Sequence, residues 1–321
     1  PNTDRYLPEI YAKNLPQTGG LLMTTKTVNY EEIMRLQELG VDAYVDVGQE
    51  QAGLAETLDG FTETSGLASV FVSQNSLSEI PESYRKIGEI LGDTGRGNEL
   101  YAYTKGWADT ITDGMKTVDG SGMKKSALHI VSIDGNKIFL LGGFTEDGKY
   151  GYQGTVVNTL ADNIVTAKSN KGFGDPYGME ELLNILEESE PDVIFINGAK
   201  DHAYYNAFMD NPAFAELSAV KSGQVYESPY DCPYSWIPRP FSGWGISGFI
   251  WAANILYPDV FNYNVKDEIQ KFYKVMIGYD LTDEEYARLT STTSQASSPA
   301  PVAGILAGLA VAGIFLLRRK P

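Results

Sequence analysis

The densest group of residues that could bind a small molecule lies between Tyr230 and Gly248, in the sequence YDCPYSWIPRPFSGWGISG. Its one arginine, Arg239, carries a guanidinium that can grip oxygen atoms through charge-assisted hydrogen bonds. Rings such as those of Tyr234 and Trp236 can exclude water around such a contact. The prolines and glycines favour an ordered loop over a helix. We interpret the stretch as a contact surface for a flat or anionic ligand; the alternative is that its rings only pack the loop onto the protein.

Two residues outside this stretch are candidates for the same site. Tyr152 lies in a glycine-rich segment that follows Leu141. His202 follows an apolar segment that ends at Gly198, and α/β folds place ligand contacts after the carboxyl ends of their strands. The alternative for His202 is a solvated or hydrogen-bonded loop histidine.

The remaining acidic and basic residues form no recognisable catalytic pattern. The sequence has no nucleophile elbow, phosphate-binding loop or zinc-ligand spacing. Its one cysteine, Cys232, and its two histidines, His129 and His202, leave little material for a metal centre. We therefore expect no catalytic residue, no cofactor and no protein-bound metal. The rival hypothesis is a surface-anchored hydrolase that uses Asp201 or Asp231, which would need a second carboxylate or a histidine in the same cleft.

Length, composition and charge narrow the class of protein. The 321 residues suffice for two domains, and 43% hydrophobic residues can form cores. Acidic residues outnumber basic ones by 42 to 25, which gives a net charge of −17. Nucleic-acid binding needs a basic surface, so we expect no nucleic-acid partner.

An internal repeat indicates how the candidate residues are positioned. Residues 29–48 (NYEEIMRLQELGVDAYVDVG) and 178–198 (GMEELLNILEESEPDVIFING) each combine a glutamate pair, apolar residues at helical spacing and a short apolar strand. The repeat favours two similar α/β lobes. The alternative is a chance likeness between two helix-then-strand units.

A helical region separates the two repeat units. Residues 81–91 and 95–118 have apolar residues at helical spacing. The second segment would form a helix of about 36 Å, long enough to join two lobes by one stiff crossing. The alternative is an ordinary surface helix. We predict an N-terminal lobe over residues 1–78, a helical segment over 79–119 and a C-terminal lobe over 120–289.

The predicted C-terminal lobe begins with a hairpin signal. Residues 127–133 and 137–141 are apolar and flank the turn sequence Asp134-Gly135-Asn136. Helices are expected over 155–164 and 203–209, on either side of the second repeat unit.

The C-terminus has the pattern of a membrane anchor. A Ser/Thr/Pro-rich linker, residues 290–301, precedes 16 uncharged residues, Val302 to Leu317, and then a cationic cluster, Arg318-Arg319-Lys320. We expect residues 302–321 to be a transmembrane or sorting segment with its cationic end in the cytoplasm, so that the body of the protein is extracytoplasmic. The alternative is a buried core helix.

Four motifs together resemble a known family. They are residues 14–48, beginning NLPQTGG; residues 80–100, IPESYRKIGEILGDTGRGNEL; residues 219–229, AVKSGQVYESP; and residues 233–261, beginning PYSWIPRPFSGWG. Over residues 8–289 the chain resembles the solute-binding proteins of ABC importers that have a single backbone helix. This class III group serves iron–siderophore, haem, cobalamin and some oxyanion systems.

The resemblance implies an α/β protein of two lobes joined by one long helix, with the ligand in the cleft between them. The implied ligand is an iron chelate, a related metal complex or an oxyanion. The implied partners are an ABC permease and its ATPase, and the acids that meet the permease fall on Glu31 and Glu180. The alternative is that both are acids favoured by a helix N-terminus. The resemblance also implies an incomplete N-terminal lobe, either in a fragment or in a reduced variant.

Overall fold

The computed structural model describes residues 38, 40, 43–48, 53–142, 155–165, 175–229, 232, 235–237 and 242–291. These residues form an α/β fold with two separate sheets, one before and one after a long helix.

The first sheet is a compact strand–helix–strand unit. Strand β1 (Ala43–Gly48) runs parallel to β2 (Ala68–Ser73), with Ala43 opposite Ala68 and Gly48 opposite Ser73. Helix α1 (Leu54–Ser65) connects them and buries Leu58 and Phe61. Gly66 ends the helix with a φ of 71°, a conformation that glycine adopts without steric cost.

Two closely packed helices follow this unit. Helix α2 (Ile80–Ile90) turns back into α3 (Thr94–Ser121), whose 28 residues correspond to about 42 Å. The Asp93 side chain caps α3 by accepting a hydrogen bond from the Arg96 backbone amide. The sequence-based prediction of one long helix is therefore confirmed.

The second sheet contains five described strands. They are β3 (Ser126–Asp134), β4 (Lys137–Leu140), β5 (Asp162–Asn163), β6 (Val193–Ile196) and β7 (Val225–Glu227). The order is β4-β3-β6-β7, with β5 beside β3. β3 and β4 form the expected antiparallel hairpin, whereas β5, β6 and β7 extend the sheet in parallel.

Helices cover both faces of this sheet. They are α4 (Thr155–Leu160), α5 (Met179–Glu188), α6 (Ala203–Met209), α7 (Ser218–Lys221), α8 (Gly245–Leu256), α9 (Val265–Ile277) and α10 (Asp283–Thr290). Ile194 and Ile196 pack on one face with α5 and α6, and Val193 and Phe195 pack on the other with α3 and α8. A strand buried on both faces explains the uninterrupted apolar run of β6.

The first turn of α3 is hydrogen-bonded to the last turn of α9. The Arg96 guanidinium donates to the backbone carbonyls of Val275 and Met276, in the last turn of α9. These carbonyls have no partner within their own helix, so the arginine satisfies groups that a helix end leaves open.

Two sequence-based boundaries were wrong. The helix expected over 155–164 ends at Leu160, because Asp162 and Asn163 pair with β3 instead. The irregular loop expected up to Gly248 ends earlier, since α8 begins at Gly245. Gly248 is helical, and a Cβ there would lie 2.0 Å from the Trp236 carbonyl oxygen. This glycine therefore permits close packing and does not break the helix.

Some predicted features lie wholly or mostly outside the described residues. The second repeat unit forms the expected helix and strand, α5 and β6, whereas most of the first unit's helix is not described. The linker and the apolar segment at 302–317 are not described either. Among the helices that the structure describes, none combines the length and apolar character needed to cross a membrane.

Candidate functional site

The candidate site lies at the carboxyl edge of the second sheet, where β6 and β7 end side by side. The two strands are parallel, with Ile196 opposite Glu227, so the segments that follow them leave the sheet at the same edge. Ligands of open α/β sheets bind at such an edge. His202 lies in the segment after β6, and the aromatic stretch lies in the segment after β7.

A buried carboxylate forms the base of this edge. Glu227, the last residue of β7, is 0% exposed. Its Oε1 accepts a hydrogen bond from the Ala199 backbone amide at 3.3 Å, and its Oε2 lies 2.9 Å from Nδ1 of His202. Burial raises the pKa of the Glu227 carboxyl, and the His202 and Ala199 hydrogen bonds oppose that shift only in part.

The backbone that holds His202 has an unusual conformation. Asp201 and His202 have φ angles of 55° and 58°, in the left-handed region that favours glycine. Such residues cost roughly 1 to 2 kcal/mol each relative to the right-handed conformation. The turn places the imidazole against the Glu227 carboxylate, yet the His202 side chain remains 46% exposed. Strain of this kind is concentrated at functional sites.

Further hydrogen bonds tie the two strand ends together. The Gly198 amide donates to the Ser228 hydroxyl at 3.2 Å, and the Ser228 amide donates to the Ile196 carbonyl at 2.8 Å. Asn197 Oδ1 lies 2.8 Å from Nε2 of His129, a buried residue on β3. The backbone around His202 is therefore anchored to three neighbouring strands.

A neutral polar network joins the end of β2 to the start of α8. The Gln74 side chain is buried, and its Nε2 donates to the Ser83 hydroxyl at 2.7 Å. Its Oε1 accepts from the Gly243 amide at 3.1 Å. Gly243 lies between the aromatic stretch and α8, so a residue of the first α/β unit fixes one end of that stretch.

Close packing reinforces this connection. A Cβ added at Gly243 would lie 1.9 Å from the hydroxyl oxygen of Tyr84, which lies on α2. Burial raises the pKa of the Tyr84 hydroxyl well above its usual value. Tyr84 of α2 and the Gln74 side chain thus hold the Gly243 turn in place.

The structure places Trp236 in the hydrophobic core. The ring is completely buried, and its Nε1 donates to the Tyr273 hydroxyl at 3.3 Å. It packs against Trp251 and Tyr286, with ring centroids 6.4 and 6.5 Å apart. In this conformation Trp236 supports the loop from beneath and offers no surface to a ligand.

Of the remaining predicted site residues, the structure describes Glu180. Arg239, Tyr234 and Tyr152 lie outside the described residues, as does Glu31. Glu180 is described: it is exposed in the first turn of α5, where a carboxylate interacts favourably with the helix dipole. The position suits both the docking hypothesis and its helix-terminal alternative.

Sequence reasoning missed Glu227 and Gln74. Each occurs at the end of an apolar strand, in VYE for β7 and just after VFVS for β2. A polar residue that closes an apolar strand is a usable signal, because burial requires such a side chain to find hydrogen-bond partners.

A groove of about 550 Å³ lies away from the candidate edge, between the middle of α3 and the turn that precedes α9. Its lining includes Thr110, Asp113, Gly114, Asp259 and Asn262. These residues belong to neither strand end, so the groove is separate from the candidate site.

Comparisons with solved structures identify similar folds. An ABC transporter solute binding protein from Sulfurospirillum deleyianum has a TM-score of 0.68 and 18% identity; the match covers 86% of this chain and 79% of that one. A periplasmic solute binding protein from Veillonella parvula has a TM-score of 0.65 and 20% identity, over 90% and 79% of the two chains. A periplasmic heme binding protein from Pseudomonas aeruginosa has a TM-score of 0.53 and 19% identity, over 77% and 80%.

At these identities the likeness shows the fold alone, and it agrees with the class III architecture that the sequence suggests. No curated protein matches the chain in sequence. The family model described as periplasmic binding protein matches residues 50–231, which is more than half of the chain and includes β2, the long helix α3 and the strand ends at Asn197 and Glu227. The chain therefore belongs to the periplasmic binding protein family.

Proposed function

We propose that this protein is the extracytoplasmic receptor of an ABC importer that captures a metal chelate or an oxyanion and delivers it to a membrane permease. Membership of the periplasmic binding protein family supports the transport role, the extracytoplasmic location and the permease and ATPase as partners. The ligand class is the finer part of the proposal.

The observation that carries the proposal is the Gln74–Gly243 connection. It joins the end of β2 to the turn that closes the aromatic stretch, so the ends of the two α/β units are held near each other. Residues from two rigid units can then enclose a ligand with little reorganisation, and preorganisation of this kind improves affinity.

The proposed ligand contacts come from the segments that leave the carboxyl edge. Arg239 would grip the anionic part of the ligand, and Tyr234 and Tyr152 would form walls. Trp236 would act from the core by supporting the loop that carries Arg239 and Tyr234. His202 would face the same space, since its imidazole is half exposed.

The proposed docking contacts are acidic. Glu31 and Glu180 would meet basic residues of the permease, one from each repeat unit. Two charges at a fixed spacing give register and steering, although an exposed ion pair is individually weak and sensitive to salt. The apolar segment at 302–317 would hold the receptor at the membrane, with its cationic end in the cytoplasm.

The ligand class takes support from the fold relatives. One structural neighbour is a heme binding protein, and another, from Veillonella parvula, is a TroA-like binding protein named FepB. The experiment is a calorimetric and thermal-shift screen of the full chain with a ferric siderophore, haem, a corrinoid, molybdate and tungstate. A ligand at about 100 times its Kd should stabilise the folded state by about 2.7 kcal/mol.

The test of the site compares Arg239→Ala with Lys221→Ala, an exposed cation on α7, which precedes β7 and so lies at the opposite edge of the sheet. We expect Arg239→Ala to weaken binding at least tenfold while the protein stays folded, and Lys221→Ala to bind as the wild type does. Unchanged affinity in Arg239→Ala would remove this residue from the site. A screen in which no compound binds would contradict the receptor proposal.

The hydrolase hypothesis also has an observation in its favour, because the structure brings a carboxylate and a histidine together in Glu227 and His202. The pair differs from the Asp201 and Asp231 suggested by the sequence. A receptor takes up ligand stoichiometrically and releases it unchanged. Turnover of an ester, phosphate or glycoside substrate that is lost in His202→Gly would favour the enzyme instead.

A further inference from the structure

The short helix α10 is connected to the candidate site by one aromatic contact. Trp236 lies in the segment after β7, and side chains from three helices contact its completely buried ring. The ring of Trp251 on α8 lies 6.4 Å away between centroids, the Tyr273 hydroxyl on α9 accepts the Nε1 hydrogen bond, and the ring of Tyr286 on α10 lies 6.5 Å away. The position of the segment that carries Trp236 therefore depends on α10 as well as on the two longer helices.

The three helices hold their contact residues with different firmness. Trp251 and Tyr273 are 5% and 0% exposed and lie on helices of 12 and 13 residues. Tyr286 is half-buried on a helix of 8 residues, in which Leu289 is the buried residue. A helix this short is not stable by itself in water, so α10 depends on its contacts with the rest of the protein. Of the three contacts with Trp236, the one from α10 is the easiest to displace.

The contacts at the first turn of α10 are polar and largely exposed. Asp283 accepts hydrogen bonds from Lys266 at 3.1 Å and from Gln270 at 2.9 Å, both on α9. The Thr282 hydroxyl caps the helix by accepting from the Glu285 backbone amide at 3.2 Å. Exposed ion pairs contribute little to stability, and a single cap contributes a modest amount. Segments with few buried apolar contacts open locally more often than the core does, and α10 has these features.

We propose that α10 exchanges between a seated and an unseated state, and that the seated state, with Tyr286 against Trp236, holds the segment after β7 in its ligand-binding conformation. Tyr286 is a positioning residue that acts through Trp236. The inference rests on the proposed function and adds a regulation of the same site. Coupling is reciprocal, so a ligand that favours the binding conformation also favours the seated helix. The chain continues from α10 into the linker and the apolar segment, so occupancy of the site changes the helix that precedes the proposed anchor.

The first arm of the test uses the full chain without ligand. Thr282→Ala removes a cap at an exposed residue, so the protein should fold while α10 opens more often. We expect hydrogen exchange to become at least fivefold faster in residues 284–290 and also in residues 235–237. Tyr286→Ala should have the same two effects. Tyr286→Phe keeps the ring and should behave as the wild type does.

Asn211→Ala is the matched control for the loss of a cap. Asn211 also caps a short helical turn, residues 212–214, by accepting from the Ala213 amide. This turn buries Phe214 in the core cluster that contains Ile194, whereas Trp236 belongs to the cluster on the other face of the sheet. We expect faster exchange in residues 213–215 of this variant and no change in residues 235–237 or 284–290.

The second arm measures the binding of ferrichrome, haemin, cyanocobalamin, molybdate and tungstate by calorimetry and stopped flow. For a compound that binds the wild type, we expect Thr282→Ala and Tyr286→Ala to weaken affinity at least fivefold, chiefly through faster dissociation. Asn211→Ala should leave the affinity unchanged. Saturation of the wild type with that compound should slow exchange at least fivefold in residues 284–290, which are not among the proposed ligand contacts, but not in residues 213–215.

Contrary results separate this inference from the receptor proposal. Faster exchange confined to α10 in Thr282→Ala would overturn the inference, and so would unchanged affinity in both α10 variants. Binding that slows exchange in residues 235–237 but not in α10 would also overturn it, while the receptor proposal would stand. If none of the five compounds binds, the receptor proposal and its regulation both fail, and the first arm still shows whether α10 and the Trp236 segment move together.

Discussion

The buried polar side chains at the ends of β2 and β7 have different kinds of hydrogen-bond partner. At β2 the Gln74 amide is neutral and both of its polar atoms are bonded inside the protein. At β7 the Glu227 carboxylate is bonded to an imidazole that is half exposed. A buried neutral network whose hydrogen bonds are all made costs little free energy, whereas burying a charged group costs much more. The first region therefore fixes the position of the Gly243 turn relative to β2, whereas the second holds the His202 imidazole at the surface.

If the β2 side is the rigid side, its helix pair should tolerate substitution least. A Cβ at Gly97 on α3 would lie 2.8 Å from the Gly88 Cα on α2 and 3.1 Å from the Tyr84 carbonyl oxygen. Backbone atoms cannot yield as a flexible side chain can, so we expect Gly97→Ala to lower the free energy of unfolding by about 3 kcal/mol. Urea denaturation measures the change.

Gly106 on the same helix provides the matched control. No atom lies within 4 Å of a Cβ built at this position. We expect Gly106→Ala to raise the free energy of unfolding by roughly 0.5 to 1 kcal/mol, since alanine loses less conformational entropy on folding. Equal effects of the two substitutions would show that the crossing of α2 and α3 is not the tight contact described here.

The next effect concerns the joint itself. Gln74→Leu keeps a side chain of similar size but leaves the Gly243 amide without its acceptor, and a buried unsatisfied donor costs about 1 to 3 kcal/mol. Gln270→Leu is the control, because Gln270 is only partly buried on α9 and water can replace its partners. We expect a loss of about 2 kcal/mol for the first variant and about 0.5 kcal/mol or less for the second.

Hydrogen exchange sharpens the same prediction. In Gln74→Leu the amides of residues 243–246 should exchange faster, while those of β6 should not change beyond the global loss of stability. Unchanged exchange at the start of α8 would mean that Tyr84 and its helix hold the turn without Gln74.

The smallest expected effect is a pH dependence at the β7 side. Burial raises the pKa of Glu227 in the folded protein, so the folded state holds a proton more tightly than the unfolded state. Stability from this group is present below the carboxyl's ordinary pKa and falls as pH rises through its folded value. Each unit of pKa difference corresponds to about 1.4 kcal/mol.

Glu227→Gln removes this titration. Its stability relative to the wild type should therefore improve as the pH rises above the ordinary pKa of a glutamate, in denaturation curves measured at a series of pH values. His202, the ionisable partner of Glu227, belongs in the comparison, and His202→Gly should make the wild-type decline steeper. If the difference in stability between Glu227→Gln and the wild type did not vary with pH, burial would not be raising the pKa of the Glu227 carboxyl.

The sequence predicted the elements whose signals are local. The 28-residue α3, the β3–β4 hairpin with its Asp-Gly-Asn turn and the α5–β6 unit all follow from apolar spacing and turn residues. It mispredicted the end of α4, because the pairing of Asn163 with β3 is a tertiary contact with no local signal. It also could not assign Trp236 to the core. The sequence of a Pro/Gly-rich loop does not show whether an aromatic side chain in it faces a ligand or packs inside the protein, as Trp236 does against Tyr273.

The partnership of Glu227 and His202 was beyond the reach of sequence spacing. The two residues are 25 positions apart and meet only because β6 and β7 lie side by side and Asp201 and His202 adopt left-handed angles. Hydrophobic periodicity locates strands, but it does not say which strand ends are neighbours or which way a loop turns.

The clasp between Arg96 and the end of α9 has a practical consequence for deletion experiments. The two carbonyls lie 179 and 180 positions after the arginine, so the hydrogen bonds link the start of α3 to a helix that follows the whole second sheet along the chain. A shortened version that stops after residue 291 keeps this clasp. A version that stops before residue 275 would remove both backbone acceptors of Arg96. A C-terminal deletion would therefore destabilise the first turn of α3, far earlier in the sequence.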